Sequence, residues 1–411
     1  MRKSKEIKTG KKKMKTWVKV LIGVLIVAVA VAGGLYLYAN SKLNKVKKVK
    51  VDEKELSIVD VNGYANILLL GVDSRDIKDL KGSRTDAIMI ISINEKTKDV
   101  KLVSVYRDTI MKMGDTESYD KIAHAFHYGG AAMTIKSLNQ AMDLNIKKFA
   151  IVNFKSVADI VDAVGGIEVD VEDYEIPELN KYIHESSAIV GKKAVEVTQP
   201  GTQTLNGVQA LTYARIRKGV GDDFKRTERM RIVVTKVFEK MKKAKVNKLD
   251  KIMDLMLPQV KTNLSNSDIF ALASRLGKYK VKGTTGWPYE VQGGMLNGAS
   301  YVFPVDMAAN SARLHLEIFN QKDYKVTEKL QAISNQIAMK LNGAGAPDPA
   351  EVPIAPPAPV TPPVQETPQE PTPPEPSNDN NQGGNNQGNE GNQGGEEPQQ
   401  PQNPNQPQPG N

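Results

Sequence analysis

An apolar stretch near the N-terminus, from Val20 to Tyr38, constrains the fold of this chain more than any other feature, because it contains no charged residue. The tail before it, 1–19, carries nine lysines or arginines and a single acid. A helix needs about 20 apolar residues to cross a bilayer, and basic residues before the span favour a cytoplasmic N-terminus. We therefore predict a cytoplasmic tail over 1–19, one transmembrane helix over 20–38 and a juxtamembrane linker over 39–61, with the rest of the chain outside the cell membrane.

Two other interpretations of this region are weaker. Small residues at 28–32 resemble a cleavage site, but the apolar core of a cleaved signal peptide usually spans only about 7 to 15 residues, so we expect an uncleaved anchor. Lysine runs also bind nucleic acid, yet the adjacent span explains the basic tail by membrane topology. We expect no nucleic-acid partner.

The opposite end of the chain has a very different composition. From 345 to 411 it consists mainly of Pro, Gln, Asn, Gly and Glu, and no basic residue follows Lys340. Such a segment cannot bury enough apolar surface to offset the entropy lost on ordering. We predict a disordered tail over 345–411, acting as a solvated spacer, preceded by a helical extension over 322–344.

Between these ends, the region 62–321 alternates strand-like and helix-like patterns. The predicted strands, most of them apolar enough for a sheet covered on both faces, are Ala65–Leu70, Ala87–Ile93, Val100–Val105, Phe149–Asn153 and Ile167–Val171. The predicted helices are Ala131–Met142, Phe154–Val164, Asn206–Ala214, Asp223–Lys243 and Ile269–Leu276. Ser265 and Asp268 have the spacing of a capping box before the last helix. This alternation predicts a layered α/β/α domain with a central mixed β-sheet.

Arginines and aspartates gather in three short clusters within this region. The clusters contain Asp73, Arg75, Arg84 and Asp86; Arg107 and Asp108; and Arg215, Arg217, Asp223, Arg226 and Arg229. A guanidinium group binds phosphate oxygens through two parallel hydrogen bonds, and carboxylates hold a divalent cation that shares those oxygens. The combination predicts a pyrophosphate site.

The first cluster contains a candidate metal pair. Asp73 follows the apolar run that ends at Leu70, and Asp86 begins the next strand, so the two carboxylates could share one cation if the strands are neighbours. Mg²⁺ suits such a pair, because it completes its shell with water and substrate phosphate. The alternative is that each Asp only caps a turn.

The third cluster depends on local conformation. Arg215 and Arg217 face the same side only if the chain there is extended, so the preceding helix must end before Arg215. Arg226 and Arg229 share one face of a helix whose N-cap would be Asp223, and a helix N-terminus attracts anions. The alternative is that the basic residues simply solvate an amphipathic helix.

Other kinds of chemistry have little support. His124 and His127 have a spacing that can bind zinc on one helical turn, but the chain has no cysteine and no Glu at motif spacing. No glycine-rich phosphate loop and no Gly-x-Ser-x-Gly nucleophile motif occurs in the sequence.

The order of the motifs resembles the LytR-CpsA-Psr family. They are Asn66–Arg75 (NILLLGVDSR), Arg84–Asp86 (RTD), Ser104–Thr109 (SVYRDT), Lys121–Ile122 (KI), Val164–Ile167 (VGGI), Leu205–Gly207 (LNG), Ala210–Arg217 (ALTYARIR) and Asp223–Arg229 (DFKRTER). The resemblance implies an extracellular phosphotransferase, anchored in the cell membrane of a Gram-positive bacterium. Such an enzyme moves a teichoic acid or capsular polysaccharide from a polyprenyl pyrophosphate carrier to peptidoglycan.

The resemblance also implies roles for individual residues. Asp73 and Asp86 would hold Mg²⁺, with Mn²⁺ as the alternative metal. The pyrophosphate would be surrounded by Arg75, Arg84, Arg107, Lys121, Arg215, Arg217 and Arg226, with Arg229 more peripheral. Arg107, Arg217 and Asp223 would act in catalysis, although Asp223, Asp108 or a metal-binding carboxylate could each be the general base. The chain departs from the family in two places: Tyr106 replaces a common proline, and Met230 replaces a common glutamine.

Two competing functions use the same features. A polyprenyl-pyrophosphate phosphatase would need the same metal and arginines but would use water as the acceptor. A membrane-bound transcriptional regulator would need a DNA-binding domain in the cytoplasm, where the tail of 1–19 is too short to fold. A transferase must also house the lipid, so we expect an apolar groove between the sheet and its covering helices.

Overall fold

The computed structural model describes residues 37–38, 40–74, 76–217 and 222–346. The predicted cytoplasmic tail, nearly all of the predicted transmembrane helix and nearly all of the predicted disordered tail lie outside these residues. Among the described residues, none of the helices combines the length and the apolar character that a membrane crossing requires.

A seven-stranded mixed sheet forms the centre of the domain, in the order β1-β10-β7-β2-β3-β4-β11. The strands of the described chain are β1 (Lys47–Lys48), β2 (Tyr64–Val72), β3 (Thr85–Asn94), β4 (Asp99–Val105), β5 (Ile110–Lys112), β6 (Tyr119–Lys121), β7 (Lys148–Asn153), β8 (Ile167–Val171), β9 (Gly201–Leu205), β10 (Lys261–Thr262), β11 (Lys280–Trp287), β12 (Val291–Leu296) and β13 (Ala299–Pro304). Strand β2 pairs antiparallel with β3 and parallel with β7, which confirms the predicted mixed sheet.

Helices cover both faces of this sheet. They are α1 (Ile122–Met142), α2 (Phe154–Ala163), α3 (Ile176–Val190), α4 (Gly207–Tyr213), α5 (Asp222–Lys243), α6 (Val246–Met256), α7 (Asn266–Ser274), α8 (Met307–Phe319) and α9 (Glu328–Asn342). Helices α1, α8 and α9 share one core with Leu68, Leu70 and Ile90, whereas α5 and α7 pack over Met89 and Leu102 on the other face. The α/β/α layering follows from strands that are apolar on both faces.

A second core lies beside the sheet, built from α2, α3, α4, α6 and the antiparallel hairpin β8–β9. The prediction that Ile167–Val171 belongs to the central sheet is therefore wrong. Its apolar residues at alternate positions are buried, while Glu168 and Asp170 are exposed, so the segment is the one-sided strand of a hairpin.

Local signals explain most helix ends and some of the errors. Asn153 and Asn206 form capping boxes at the starts of α2 and α4, as Ser265 does for α7, which begins three residues before the predicted Ile269. Helix α1 begins at Ile122, but Gly129 and Gly130 interrupt it with non-helical dihedrals. The predicted start at Ala131 is therefore the start of its regular second half.

Candidate functional site

Asp86 lies in a β-bulge between the two central strands. Gly71 pairs with Ala87, and Val72 pairs with Thr85, so Asp86 has no partner across the ladder. A bulge re-aims the side chain of its extra residue. Asp73 is just beyond β2, exposed, with its backbone N–H donating to the Arg84 carbonyl at 3.2 Å. Strands β2 and β3 are therefore neighbours, which is the condition that the prediction required, and the sharing of one cation by Asp73 and Asp86 stays a prediction.

The end of β4 brings Arg107 to Asp86. Nη1 of Arg107 donates to Oδ1 of Asp86 at 2.5 Å, and its Nε donates to Asp108 at 3.3 Å. Lys121, at the end of β6, lies 3.0 Å from the other oxygen of Asp108. The loop is held in place because the Ala123 N–H donates to the Arg107 carbonyl at 3.0 Å.

The start of α5 completes this cluster. Oδ1 of Asp223 lies 2.6 Å from Nη2 of Arg226, 3.8 Å from Nε of Arg107 and 4.0 Å from Nη1 of Arg217. Helix α5 begins at Asp222, so Asp223 lies within the first turn rather than at the predicted N-cap. We call the seven residues of this cluster the clamp: Asp86, Arg107, Asp108, Lys121, Arg217, Asp223 and Arg226.

The charges of the clamp perturb one another. Burial raises the pKa of Asp223, and the nearby Asp108 adds to this, while Arg226, Arg107 and Arg217 oppose it. Burial acts on Asp108 in the same direction, but Arg107 and Lys121 outweigh it and lower its pKa. Burial also lowers the pKa of Arg226, although Asp223 opposes that shift. A buried carboxylate whose pKa is raised although arginines surround it is typical of a functional site.

Hydrogen bonding within the clamp is incomplete. Both carboxylate oxygens of Asp223 and Nε of Arg226 are shielded from solvent and have no hydrogen-bond partner among the described residues. Their contacts are ion pairs without hydrogen-bond geometry. A buried polar atom without a partner costs stability, on the order of 1–3 kcal/mol, so it needs an explanation, and a ligand that completes the site is one.

The structure does not bring all predicted phosphate-binding residues together. Arg75 lies outside the described residues, and Arg84 is exposed on the loop before β3. Helix α4 ends before Arg215, as the prediction required, but the guanidinium of Arg215 contacts Glu185 at 2.7 Å and Ser186 at 3.0 Å.

Arg229 is held by a different set of groups. Its Nε donates to Glu175 at 2.6 Å, and the two side chains are only 2% and 4% exposed. Its Nη1 donates to the carbonyl of Ile216 at 3.3 Å, next to Arg217. The structure thus places Arg229 behind the clamp, and its binding of pyrophosphate stays a prediction.

An apolar cavity of about 80 Å³ lies between the sheet and helices α2, α4 and α5, where the groove for the lipid was expected. Of the described residues that line it, Asp86 and Arg215 are the charged ones. Met230 also lines it, so the position where relatives commonly have glutamine faces an apolar space in this chain. The other departure, Tyr106, packs edge-on against Phe224 at 4.4 Å.

The residues near the bulge fit a magnesium ion. The described residues contain no group of three or more His, Cys, Asp or Glu side chains arranged to hold a metal by themselves. Mg²⁺ usually takes only one or two carboxylates and completes its shell with water and phosphate. Asp73 is exposed, and Arg107 engages only one oxygen of Asp86, so both can supply a ligand.

The two histidines of the zinc-like spacing have separate partners. Nδ1 of His124 contacts Asp120 at 2.8 Å, and Nδ1 of His127 contacts the carbonyl of Gly82 at 3.1 Å. Asp120 also accepts from the hydroxyls of Tyr128 and Tyr301, which sequence reasoning did not single out. Asp120 precedes Lys121, so this network supports the clamp from one side.

Comparison with known proteins places this arrangement in a family. The model of the LytR_cpsA_psr family matches residues 33–316. The chain is 31% identical over 299 residues to the polyisoprenyl-teichoic acid–peptidoglycan teichoic acid transferase TagT of Bacillus subtilis, covering 69% of this chain and 89% of the relative. It is 32% identical to TagU of Bacillus cereus, a transferase of the same name, covering 63% and 82%.

Solved structures agree with this result. The crystal structure of Bacillus subtilis TagV is 27% identical, with a TM-score of 0.50 over 64% of this chain and 98% of that one. Protein gbs0355 of Streptococcus agalactiae, also 27% identical, has a TM-score of 0.52 over 64% and 90%. The fold, the motif order and these relatives lead to one conclusion: the chain belongs to the LytR-CpsA-Psr family.

Proposed function

We propose that this chain is a membrane-anchored extracellular phosphotransferase. It moves an anionic glycopolymer, a teichoic acid or a capsular polysaccharide, from a polyprenyl pyrophosphate carrier to peptidoglycan. Teichoic acid is the favoured cargo, because the relatives TagT and TagU are named as transferases of teichoic acid to peptidoglycan.

The clamp is the observation that carries this proposal. Four cationic side chains, from Arg107, Lys121, Arg217 and Arg226, meet three carboxylates, and the central carboxylate lacks hydrogen bonds on both oxygens. Without a ligand the arginines neutralise Asp223. A pyrophosphate would give them a stronger, bidentate acceptor and release that carboxylate.

The chemistry follows from these positions. A sugar hydroxyl of peptidoglycan attacks the phosphorus that carries the glycan, and the bond to polyprenyl phosphate breaks. Arg107, Arg217 and Arg226 stabilise the charge that spreads over the phosphoryl oxygens. Asp223 accepts the proton of the attacking hydroxyl, since burial already raises its pKa toward that of a useful base. Mg²⁺ held by Asp73 and Asp86 would neutralise phosphate charge.

The apolar cavity supplies the place for the first part of the polyprenyl chain. It adjoins the clamp through Asp86, so a lipid phosphate at the clamp can extend its chain along Val233 and Val234. Met230 suits this role better than a glutamine would, because an amide there would lose hydrogen bonds to water. A Met230→Asp variant should therefore weaken the carrier's binding.

Reconstitution tests the proposal. The full chain in detergent is mixed with a polyprenyl-pyrophosphate-linked glycan, peptidoglycan oligomers and Mg²⁺, and both released lipid phosphate and glycan joined to the acceptor are measured. We expect attachment that Arg217→Ala abolishes and Arg275→Ala preserves, since Arg275 is an exposed arginine at the end of α7. Lipid release without attachment would favour a phosphatase, and an inert protein would contradict the proposal.

Topology is tested separately. The anchor and the orientation predict that protease added to intact cells removes the C-terminal tail. A protected C-terminus would place the domain in the cytoplasm and would revive the regulatory alternative.

A further inference from the structure

The segment that follows the predicted anchor is packed onto the domain instead of hanging free. Leu43 and Val46 are each only 5% exposed, and strand β1 pairs in parallel with β10. Nδ2 of Asn266 at the start of α7 donates to the side chains of Asn40 and Asn44 at 2.8 Å. The direction in which the chain enters the domain is therefore fixed by contacts.

That direction is parallel to helix α6. The Tyr38 hydroxyl donates to Asp250 at 3.1 Å, Lys42 donates to Asp250 and Asp254, and Lys45 donates to Asp254 at 2.9 Å. Later residues of the entering segment thus contact later residues of α6, so the two segments run in the same direction. Followed backwards toward the predicted anchor, the chain runs toward the N-terminus of α6.

The N-terminus of α6 forms a corner with the end of α5. We call Lys240, Lys243, Lys245 and Val246 the basic corner. Val246 is an apolar residue that is 82% exposed, and the three lysines are exposed with no ion pair among the described residues. Val246 precedes Asp250 by one helical turn, which places it about 6 Å nearer to the anchor than the level of Tyr38.

The helix dipole explains why lysines occur in the basic corner but not why a valine is exposed there. Lysines in the last turn of α5 favour the negative end of its dipole, so Lys240 and Lys243 would be unremarkable alone. This does not account for an exposed valine beside them. The neighbouring acids offer little compensation, because Lys42 and Lys45 already engage Asp250 and Asp254, and Glu239 is one exposed acid beside three exposed lysines.

We propose that the basic corner docks onto the membrane surface, with Val246 entering the headgroup layer and the lysines binding anionic lipid headgroups. The inference rests on the membrane anchor of the proposed function. The predicted span ends at Tyr38, so the headgroup layer lies at the level that Val246 reaches. Lysines near an anionic leaflet are attracted to it, and a single apolar side chain adds contact with the acyl boundary.

The absence of cysteine from the chain makes a direct test simple. Val246→Cys and the control Leu316→Cys, an apolar residue 48% exposed on α8, are labelled with an environment-sensitive fluorophore in the full chain. The proteins are placed in vesicles of phosphatidylglycerol and phosphatidylcholine. We expect a spin-labelled lipid to quench the label at 246 several-fold more than the label at 316, and aqueous iodide to show the reverse order. Equal quenching at both positions would overturn the proposal.

Three further outcomes separate the causes. Replacing Lys240, Lys243 and Lys245 with Gln should lower lipid quenching at 246, as should vesicles of phosphatidylcholine alone; no change in either would overturn the role of anionic lipid. Shielding of the label from iodide by an added soluble anionic polymer, and not by lipid, would assign the basic corner to that polymer and also overturn the proposal. If the chain washes off the vesicles at alkaline pH, it has no membrane anchor, which would contradict both the proposed membrane-anchored function and the docking. If the chain is retained but the label at 246 is not quenched by lipid, only the docking is refuted.

Discussion

Helix α5 carries three buried arginines, and two of them, Arg226 and Arg229, lie one turn apart in opposite environments. Arg229 meets Glu175 at 2.6 Å, and its donors also reach the carbonyl of Ile216. Arg226 meets Asp223 at the same distance, yet within the part of the chain that the structure describes its Nε and both oxygens of Asp223 lack hydrogen bonds. Two other arginines also approach Asp223. An arginine–carboxylate pair thus has its hydrogen bonds at one site, Arg229–Glu175, and lacks them at the other, Arg226–Asp223.

This difference in hydrogen bonding distinguishes two roles. The Arg229–Glu175 pair stabilises the fold, whereas on the proposed function the Arg226–Asp223 pair lies where pyrophosphate binds. A buried pair contributes when geometry and hydrogen bonds offset desolvation, and the Arg229–Glu175 pair has both. The clamp has excess positive charge and open donors, which a pyrophosphate would satisfy. Burial alone does not distinguish them, since Arg226 and Arg229 are 5% and 2% exposed. What distinguishes them is whether the buried polar atoms of each ion pair have hydrogen-bond partners.

The largest effect is expected from breaking the satisfied pair. Glu175→Gln leaves the buried charge of Arg229 without a counterion, which should cost about 3–5 kcal/mol of the free energy of unfolding. Denaturant titration measures it. The control is Glu317→Gln, which breaks the partly exposed Arg313–Glu317 pair on α8 and should cost at most about 0.5 kcal/mol. Similar losses in both variants would show that Arg229 does not depend on Glu175.

The clamp should show the opposite balance between stability and activity. Arg217→Ala removes a side chain that is 45% exposed, so the free energy of unfolding should change by no more than about 0.5 kcal/mol. Transfer should fall by about 10²–10³-fold, because the lost guanidinium stabilises charge in the transition state. Glycan attachment under saturating carrier gives the rate. A variant that loses stability and keeps its activity would place Arg217 with Arg229 instead of with the clamp.

A smaller effect concerns pH. The folded-state pKa of Asp223 is raised above its ordinary 3.8, so the folded protein binds the extra proton more tightly than the unfolded chain. Its contribution to stability is therefore complete below pH 3.8 and is lost as pH rises through the raised pKa, with a slope of at most about 1.4 kcal/mol per pH unit.

Asp223→Asn should remove this decline from unfolding curves measured between mildly acidic and neutral pH. Asp108 provides the contrast, because its pKa is lowered and its contribution is lost only as pH falls through that lower value. The transfer rate of the unaltered protein should rise with pH as Asp223 loses its proton. An unchanged decline in the Asn variant would assign it to another group.

The sequence was sufficient to predict residues of the clamp but not the Arg229–Glu175 ion pair. Strands β2, β3, β4 and β7 were predictable because their residues are apolar on both faces. The edge strand β11 was missed, since it begins with two exposed lysines and only its last three residues are buried. Motifs at strand ends located Asp86 and Arg107, and a motif at the start of a helix located Asp223. They could not reveal the partner of Arg229, because Glu175 lies 54 residues away in a short turn with no motif.

The orientation of neighbouring arginines was also beyond the sequence. Arg215 and Arg217 have the spacing of a shared phosphate grip, but the end of α4 turns the first toward Glu185 and leaves the second beside Asp223. Which of the two turns inward depends on packing against α3, a helix that periodicity did not predict. Residue types thus identified the clamp, and tertiary contacts selected its members.

The smallest expected change comes from replacing the satisfied pair as a unit. Glu175→Met with Arg229→Met exchanges a buried ion pair for apolar side chains, which is often neutral or stabilising, so unfolding should stay within about 1 kcal/mol of the unaltered protein. Transfer should fall only modestly, through the lost hydrogen bond to Ile216 beside Arg217. The matched double variant, Asp223→Met with Arg226→Met, should fold equally well yet transfer no glycan. If both doubles kept activity, the unsatisfied atoms of the clamp would be a feature of folding alone; if both lost it, the pair behind the clamp would belong to the catalytic machinery. If the Glu175/Arg229 double variant keeps most of its activity and the Asp223/Arg226 double variant loses it, the presence or absence of hydrogen-bond partners is the property that distinguishes the two arginines.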